Sequence, residues 1–253
     1  MIETTGARAW LIRHGQSESN AGLPTDGPSA TPLTPLGWDQ AGRVAAAFTE
    51  PPALIVASPF RRARETALPT RRRFPEVPYE EWPVQEFTFL GHLHGPRTTN
   101  AERRPHSVAY WRRADPSFAH DGDGESFKQL IARTRDLVER LTRRPDGLTA
   151  VFTHGTYMRA LMWSLLTGIT DPDSAAMTAF FHFVQVCQMP NGAVIELRAA
   201  AEGPEPLRLV GGSFTHLGTE VPGIGAGEGA GAGIGAGGAP SAVTPLTTTD
   251  SAD

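Results

Sequence analysis

The sequence predicts an α/β protein: a three-layer α/β/α sandwich with a mostly parallel central sheet, at least one antiparallel strand and a lid-like insertion. Three observations carry this reading. Short apolar runs stopped by turn or cap signals alternate with amphipathic stretches, which argues for a sheet covered on both faces. Near the end, Asn191-Gly192 separates two apolar runs, a strong hairpin signal and hence an antiparallel strand. Residues 91–125 are polar, broken by Pro96, Pro105 and Pro116, and too long for a simple connector.

The elements follow in order. Residues 9–12 form an apolar strand stopped at Gly15. Thr34 is a good N-cap and Pro35 suits a first helical turn, so a helix runs from there to about Thr49. Residues 53–57 form the next strand. Ser58-Pro59 repeats the cap-then-proline signal and opens a second helix to about Arg73. Residues 127–143 are amphipathic, with Phe127, Leu130, Ile131, Leu137, Val138 and Leu141 on one face. Residues 148–152 form a buried strand, and residues 156–166 a helix rich in Met, Leu and Trp. Residues 180–186 and 193–197 read as the two strands of the hairpin. From about residue 219 to 253 the chain is mostly Gly, Ala, Pro, Thr and Ser, with no Lys or Arg. Such a tail cannot bury enough apolar surface to offset its ordering entropy and is expected to be disordered. Residues 1–218 are then the functional domain, with residues 91–125 its insertion.

Composition excludes several classes. With 40% hydrophobic and 20% charged residues the chain is globular, and its net charge of −4 argues against a nucleic-acid partner. No window approaches the roughly 20 apolar residues of a membrane span, and residues 1–5 lack a signal-peptide pattern, so a cytoplasmic location without membrane association is expected. The single cysteine, Cys187, rules out an intrachain disulfide, and its apolar neighbours suggest a buried, inert thiol. A homodimer is left open.

Three strand ends deliver reactive residues: Arg13-His14-Gly15, Ser58-Pro59-Phe60-Arg61-Arg62, and Thr153-His154-Gly155. Ligands of open α/β sheets bind at the carboxyl ends of strands. Two histidines with arginines suit a phosphoryl group. Arginine matches phosphate bidentately and stays charged. Neutral imidazole is a competent nucleophile at phosphorus, and positive neighbours favour the neutral form. A metallohydrolase built on the eight histidines is the competing class, but no His-x-x-x-His or Asp-rich spacing appears. No metal and no cofactor are expected.

At this point the motifs carry a family resemblance. The run from Leu11 through Arg13-His14-Gly15-Gln16-Ser17 to Asn20 resembles the signature of the histidine phosphatase superfamily, the phosphoglycerate mutase-like proteins. Leu33-Thr34-Pro35-Leu36-Gly37, Ser58-Pro59-Phe60-Arg61-Arg62-Ala63, Gly124-Glu125-Ser126 and Val151-Phe152-Thr153-His154-Gly155 resemble its later blocks, in the family's order. The resemblance implies a phosphomonoesterase that forms a phosphohistidine on His14 and acts on a small phosphorylated metabolite. Arg13, Arg62, His154, Asn20 and the Gly155 amide would hold the phosphoryl group. Glu86 is the best match to the family's proton donor, although Gly91 follows it by five residues where the family usually has four. Glu80 and Glu81 are its competitors, and burial beside Phe87 and Phe89 would favour the protonated form that a general acid needs. Glu125 would support the site or cap the next helix. In the insertion, Arg103, Arg104, Arg97, Tyr110 and Trp111 are candidates for reading the rest of the substrate, against the alternatives of surface for the arginines and packing for the aromatics. Mutase-type phosphoryl transfer and a non-catalytic phosphate-binding relative are the alternatives to hydrolysis.

Overall fold

A computed structural model describes residues 7–95, 97–144, 147–200, 203, 205–213 and 216. The expected tail at 219–253, residues 1–5 and the break at Pro96 lie outside the described residues. Six strands form one sheet: β1 (Ala7–Arg13), β2 (Leu54–Ala57), β3 (Tyr79–Glu81), β4 (Gly147–Thr153), β5 (Val194–Ala199) and β6 (Leu207–Ser213). The helices are α1 (Pro35–Ala47), α2 (Arg61–Arg73), α3 (Asn100–Arg113), α4 (Phe127–Thr142), α5 (Gly155–Thr167) and α6 (Ser174–Val186). The strand order is β3-β2-β4-β1-β5-β6. β3, β2, β4 and β1 are parallel, and β5 runs antiparallel to both β1 and β6.

β2, β4 and the end of β1 are buried on both faces, and their side chains alternate between two apolar clusters. Ile12, Ile55, Ala57, Ala150 and Phe152 pack with Val44 of α1 and Ala67 of α2. Leu11, Leu54, Val56 and Val151 face the larger cluster, built with Tyr110 and Trp111 of α3 and with apolar residues of α4, α5 and α6. This is the three-layer sandwich the alternation predicted.

Several expectations change. Residues 180–186 belong to α6 and are helical, not a strand. The aromatic run reads locally as a strand, but the buried positions Ala176, Met177, Phe180 and Val184 have helical spacing, and the Asp173 side chain caps the helix by accepting from the Ala176 amide. Asn191-Gly192 is a turn, with Gly192 at φ 77°, but it joins a helix to β5 and makes no hairpin. The antiparallel strand it was read to announce exists as β5. The second helix starts at Arg61, and Ser58 is not its N-cap residue. Cys187 is half-buried at the edge of the larger cluster, not fully enclosed. The insertion contains α3, opened by a reciprocal Thr99–Glu102 capping box. Tyr110 and Trp111 on it are core residues, stacked among Phe87, Phe89 and Phe127, so packing is their role.

The loop after β1 is fixed by close backbone approach. A Cβ on Gly37 would lie 2.1 Å from the Gln16 carbonyl oxygen, and one on Gly15 would lie 2.3 Å from that of Gly37. Only glycine fits at either position. The Gly37→Ala protein is expected to lose about 1–3 kcal/mol of stability, measured by urea denaturation; an unchanged midpoint would show that this contact relaxes freely.

Candidate active site

Parallel pairing decides which residues meet. Arg13 pairs with Thr153 and Ile12 with Phe152, while Ala57 also pairs with Phe152. The strands β1 and β4 therefore end level and β2 ends one residue earlier, and the residues that follow them are His14, His154 and Ser58. The imidazole rings of His14 and His154 lie 5.1 Å apart, centre to centre. His154 Nε2 shares a 2.8 Å hydrogen bond with the Ser58 hydroxyl. The residue read as a helix cap thus holds a histidine instead.

The surroundings of His14 define its protonation. Its Nδ1 lies 2.7 Å from the Gly15 carbonyl, which can only accept, so Nδ1 carries the proton. Its Nε2 accepts a 3.1 Å hydrogen bond from Arg62 Nε, so a lone pair resides there. The ring is neutral, and its basic nitrogen faces a guanidinium. The loop is held in turn by α2: the Gly15 amide donates to the Thr66 hydroxyl, and that hydroxyl donates to the Arg62 carbonyl one helical turn back. His14, Arg62 and His154 are all buried.

Arg13 is buried and donates to the Met189 carbonyl. On the other side of the β1–β4 edge, α5 begins at Gly155. A Cβ there would come within 3.1 Å of Arg13 Nε and 3.2 Å of Arg159 Nη1. Two guanidiniums therefore press on the first residue of α5, and glycine makes room for them. Arg159, which donates to the Cys187 carbonyl, escaped the sequence reading. Its position four residues after Gly155, on the same face of the helix, is the signal that would have found it. Burial pushes the Arg159 pKa below its ordinary value, opposed by its interactions with Cys187 and Glu86.

Glu86 is buried at the same helix start. Its carboxylate accepts from the Thr156 and Tyr157 amides at 3.2 and 3.1 Å, and from its neighbour Phe87 at 3.0 Å. It thus satisfies N–H groups that a helix N-terminus leaves without partners. Glu80 and Glu81 are exposed on β3, outside this cluster. The Glu86 segment is braced from outside. Arg133 pairs with Glu125 at 2.6 Å and donates to the carbonyls of Pro83 and Gln85, while Glu125 accepts from the Thr88 amide. Glu125 therefore supports the segment, and Ser126 is the residue that caps α4.

The other sequence candidates lie around this centre. Asn20 sits in the β1–α1 loop, where its Oδ1 accepts from the Ser17 amide and hydroxyl. Arg103 is buried, donates to Thr98 and Asn100, and so braces the insertion; Asn100 in turn donates to the Ser19 carbonyl beside Asn20. Arg104 and Arg97 are exposed in the insertion. Among the described residues, no group of three or more His, Cys, Asp or Glu side chains is placed to hold a metal ion, and no helix is long and apolar enough to cross a membrane.

Residues 9–209 match the model of the histidine phosphatase superfamily (branch 1). The chain belongs to this superfamily. It is 30% identical over 166 residues to a metal-independent phosphoserine phosphatase of Arabidopsis thaliana, covering 63% of this chain and 69% of the relative. It is 33% identical over 172 residues to the glucosyl-3-phosphoglycerate phosphatase of Mycobacterium tuberculosis, covering 63% of this chain and 75% of the relative. A solved structure of the mycobacterial glucosyl-3-phosphoglycerate phosphatase with VO3 superimposes with a TM-score of 0.61 at 29% identity, covering 81% of this chain and 97% of that one. These relatives are phosphatase enzymes, and the family match extends through every residue that meets at His14.

The Arg133 brace yields a prediction. Replacing Arg133 by Met leaves the Glu125 carboxylate and two carbonyls without their donor, at an expected cost of about 2–3 kcal/mol. Chemical denaturation checks this, and a loss below about 0.5 kcal/mol, the range of ordinary surface substitutions, would mean that the brace carries no load.

Proposed function

We propose that this chain is a metal-independent phosphomonoesterase that transfers the phosphoryl group of a small phosphorylated metabolite to His14 and then to water. The observation that carries the reading is the state of His14: a buried neutral imidazole with Nδ1–H tied to the Gly15 carbonyl and the Nε2 lone pair against Arg62. A nucleophile at phosphorus needs that lone pair and that orientation. Residues 1–218 are the catalytic domain of this proposal, and the family match over residues 9–209 supports it.

The steps follow from the neighbouring groups. The phosphoryl oxygens lie among Arg13, Arg62, His154, the Gly155 amide and the Asn20 side chain. Arg13, Arg62 and Arg159 against the single carboxylate of Glu86 give this group of residues a positive balance, complementary to a dianionic ester. His14 Nε2 attacks phosphorus, and the bond to the ester oxygen breaks. The departing oxygen takes a proton from Glu86, since an alkoxide is a poor leaving group. Glu86, now ionised, takes a proton from water, which attacks the phosphohistidine and releases inorganic phosphate. The Arg159 charge close to Glu86 supports its ionised form in this second step. Relatives named for phosphoserine and for glucosyl-3-phosphoglycerate support the substrate class.

His14→Ala is expected to lower p-nitrophenyl phosphate turnover by about 10³-fold or more, in line with removal of a covalent nucleophile. EDTA is expected to leave the wild-type rate unchanged. Wild-type turnover by the His14→Ala protein would overturn the covalent mechanism. Rapid acid-free quenching of the wild type with a radiolabelled substrate should trap label on the peptide carrying His14. Glu86→Gln should separate substrates by leaving group: nitrophenolate departs without a proton, so alkyl phosphate esters should lose at least about tenfold more in kcat than p-nitrophenyl phosphate. Equal losses on both would remove Glu86 from the acid role.

A further inference from the structure

The Asn191-Gly192 turn makes no hairpin, yet it lies against the catalytic loop. The reason is topological. β5 runs antiparallel to β1, with Val194 opposite Ile12, so the start of β5 lies beside the end of β1. The residues just before β5 therefore reach the residues just after β1. The Gly192 amide donates to the carbonyls of Arg13 and His14 at 3.1 and 3.3 Å. Asn191 goes further. Its Nδ2 donates to the His14 carbonyl at 3.0 Å and to Asn20 Oδ1 at 3.0 Å.

Chemistry fixes the orientation of both carboxamides. The His14 carbonyl can only accept, so the Asn191 atom facing it is the nitrogen. The Ser17 amide can only donate, so the Asn20 atom 3.2 Å from it is the oxygen. That oxygen also accepts from the Ser17 hydroxyl at 3.1 Å and from Asn191. Three donors converge on Oδ1, and the two N–H donors of Asn20 Nδ2 are turned to the opposite edge of the carboxamide.

We infer that Asn191 is a positioning residue: by tying off Asn20 Oδ1 and holding the His14 carbonyl, it presents the Asn20 Nδ2 donors to the non-bridging oxygens of the phosphoryl group. This rests on the reading of Asn20 as a phosphoryl contact. Without Asn191, the Asn20 carboxamide is held from one side only, by Ser17, and can rotate its oxygen toward an anion that it would repel. A side chain from residue 191 and one from residue 20 thus act as one unit on a ligand that only the second touches.

A double-mutant cycle on the full chain tests this, with p-nitrophenyl phosphate as substrate and orthovanadate as a phosphate-like inhibitor. Asn20→Ala and Asn191→Ala should each lower kcat/KM by about tenfold, the order expected for loss of one hydrogen bond to a charged group. Vanadate inhibition should weaken in step. The double variant should lose no more than about twofold beyond the worse single variant, because coupled residues are not additive. Thermal melting accompanies every variant. Should Asn191→Ala fail to fold, Asn191→Asp, which keeps the size and removes the donor, is carried through the same cycle. Losses that multiply in the double variant, or wild-type kcat/KM in a folded Asn191 variant, overturn the inference. A wild-type Asn20→Ala enzyme overturns it too, by removing the contact through which Asn191 acts. The covalent mechanism fails separately, through activity of the His14→Ala protein.

Discussion

The register of the parallel strands β1, β4 and β2 is the constraint on which the rest of the site depends. Register in a sheet is stepwise: a slip of one residue turns a whole strand's side chains to the other face. Here the pairing of Arg13 with Thr153 places His14 and His154 side by side, and the pairing of Ala57 with Phe152 brings Ser58 to His154. The core enforces this register. Ile12 and Phe152 fill one apolar layer and Leu11 and Val151 the other. A slip that separated the histidines would also place core residues on the wrong face. The site is therefore as stable as the sheet, although its own groups are polar and buried.

Burying several guanidiniums beside two imidazoles needs compensation, since charges removed from water are costly unless they are hydrogen-bonded. The chain supplies it through backbone carbonyls. Arg13 donates to Met189, Arg159 to Cys187 and Arg62 to Pro28. Two of these carbonyls belong to the short segment between α6 and β5. That segment is anchored twice, by Met189 and Ala193 packed in the larger apolar cluster and by the two arginines that donate to its carbonyls. Each guanidinium spends part of its donor fork on a backbone carbonyl, so the placement of the arginines and the geometry of these loops are set by the same bonds.

Much of this was legible in the sequence. Strand-end placement put His14, His154 and Arg62 at one edge, and the fold class followed from alternating periodicities. What stayed hidden depends on tertiary partners. The 180–186 run carries strand-like residues, and only its spacing with Ala176 and Met177 marks the helix. Ser58 has the chemistry of a cap and accepts from the Phe60 amide, yet its second partner is His154, 96 residues away. Arg159 carried a helical-spacing signal, but nothing in a helix of Met, Leu and Trp says that a guanidinium will turn back toward Gly155. Asn191 was read correctly as a turn residue and wrongly as a hairpin, because the turn residue type is local and the strand it serves is not.

Glu86 concentrates the remaining tension between fold and chemistry. A carboxylate that accepts three backbone amides at a helix start is well placed as a structural cap. A proton donor must instead give up such bonds, at least in part, to reach a leaving oxygen. The two roles are reconciled by where α5 begins. Gly155 is the first residue of the helix and directly follows His154, so a carboxylate resting on the amides of residues 156 and 157 lies at the helix start beside His154, where the proposed mechanism needs its acid. A small rotation would exchange an amide for a ligand oxygen without moving the segment that carries it. The Arg133–Glu125 brace holds that segment from outside, and Thr153 holds it from within by donating to the Val84 carbonyl at 2.6 Å. These bonds hold the backbone of the segment and not the Glu86 side chain itself, which is what the proposed role of acid and then base would require.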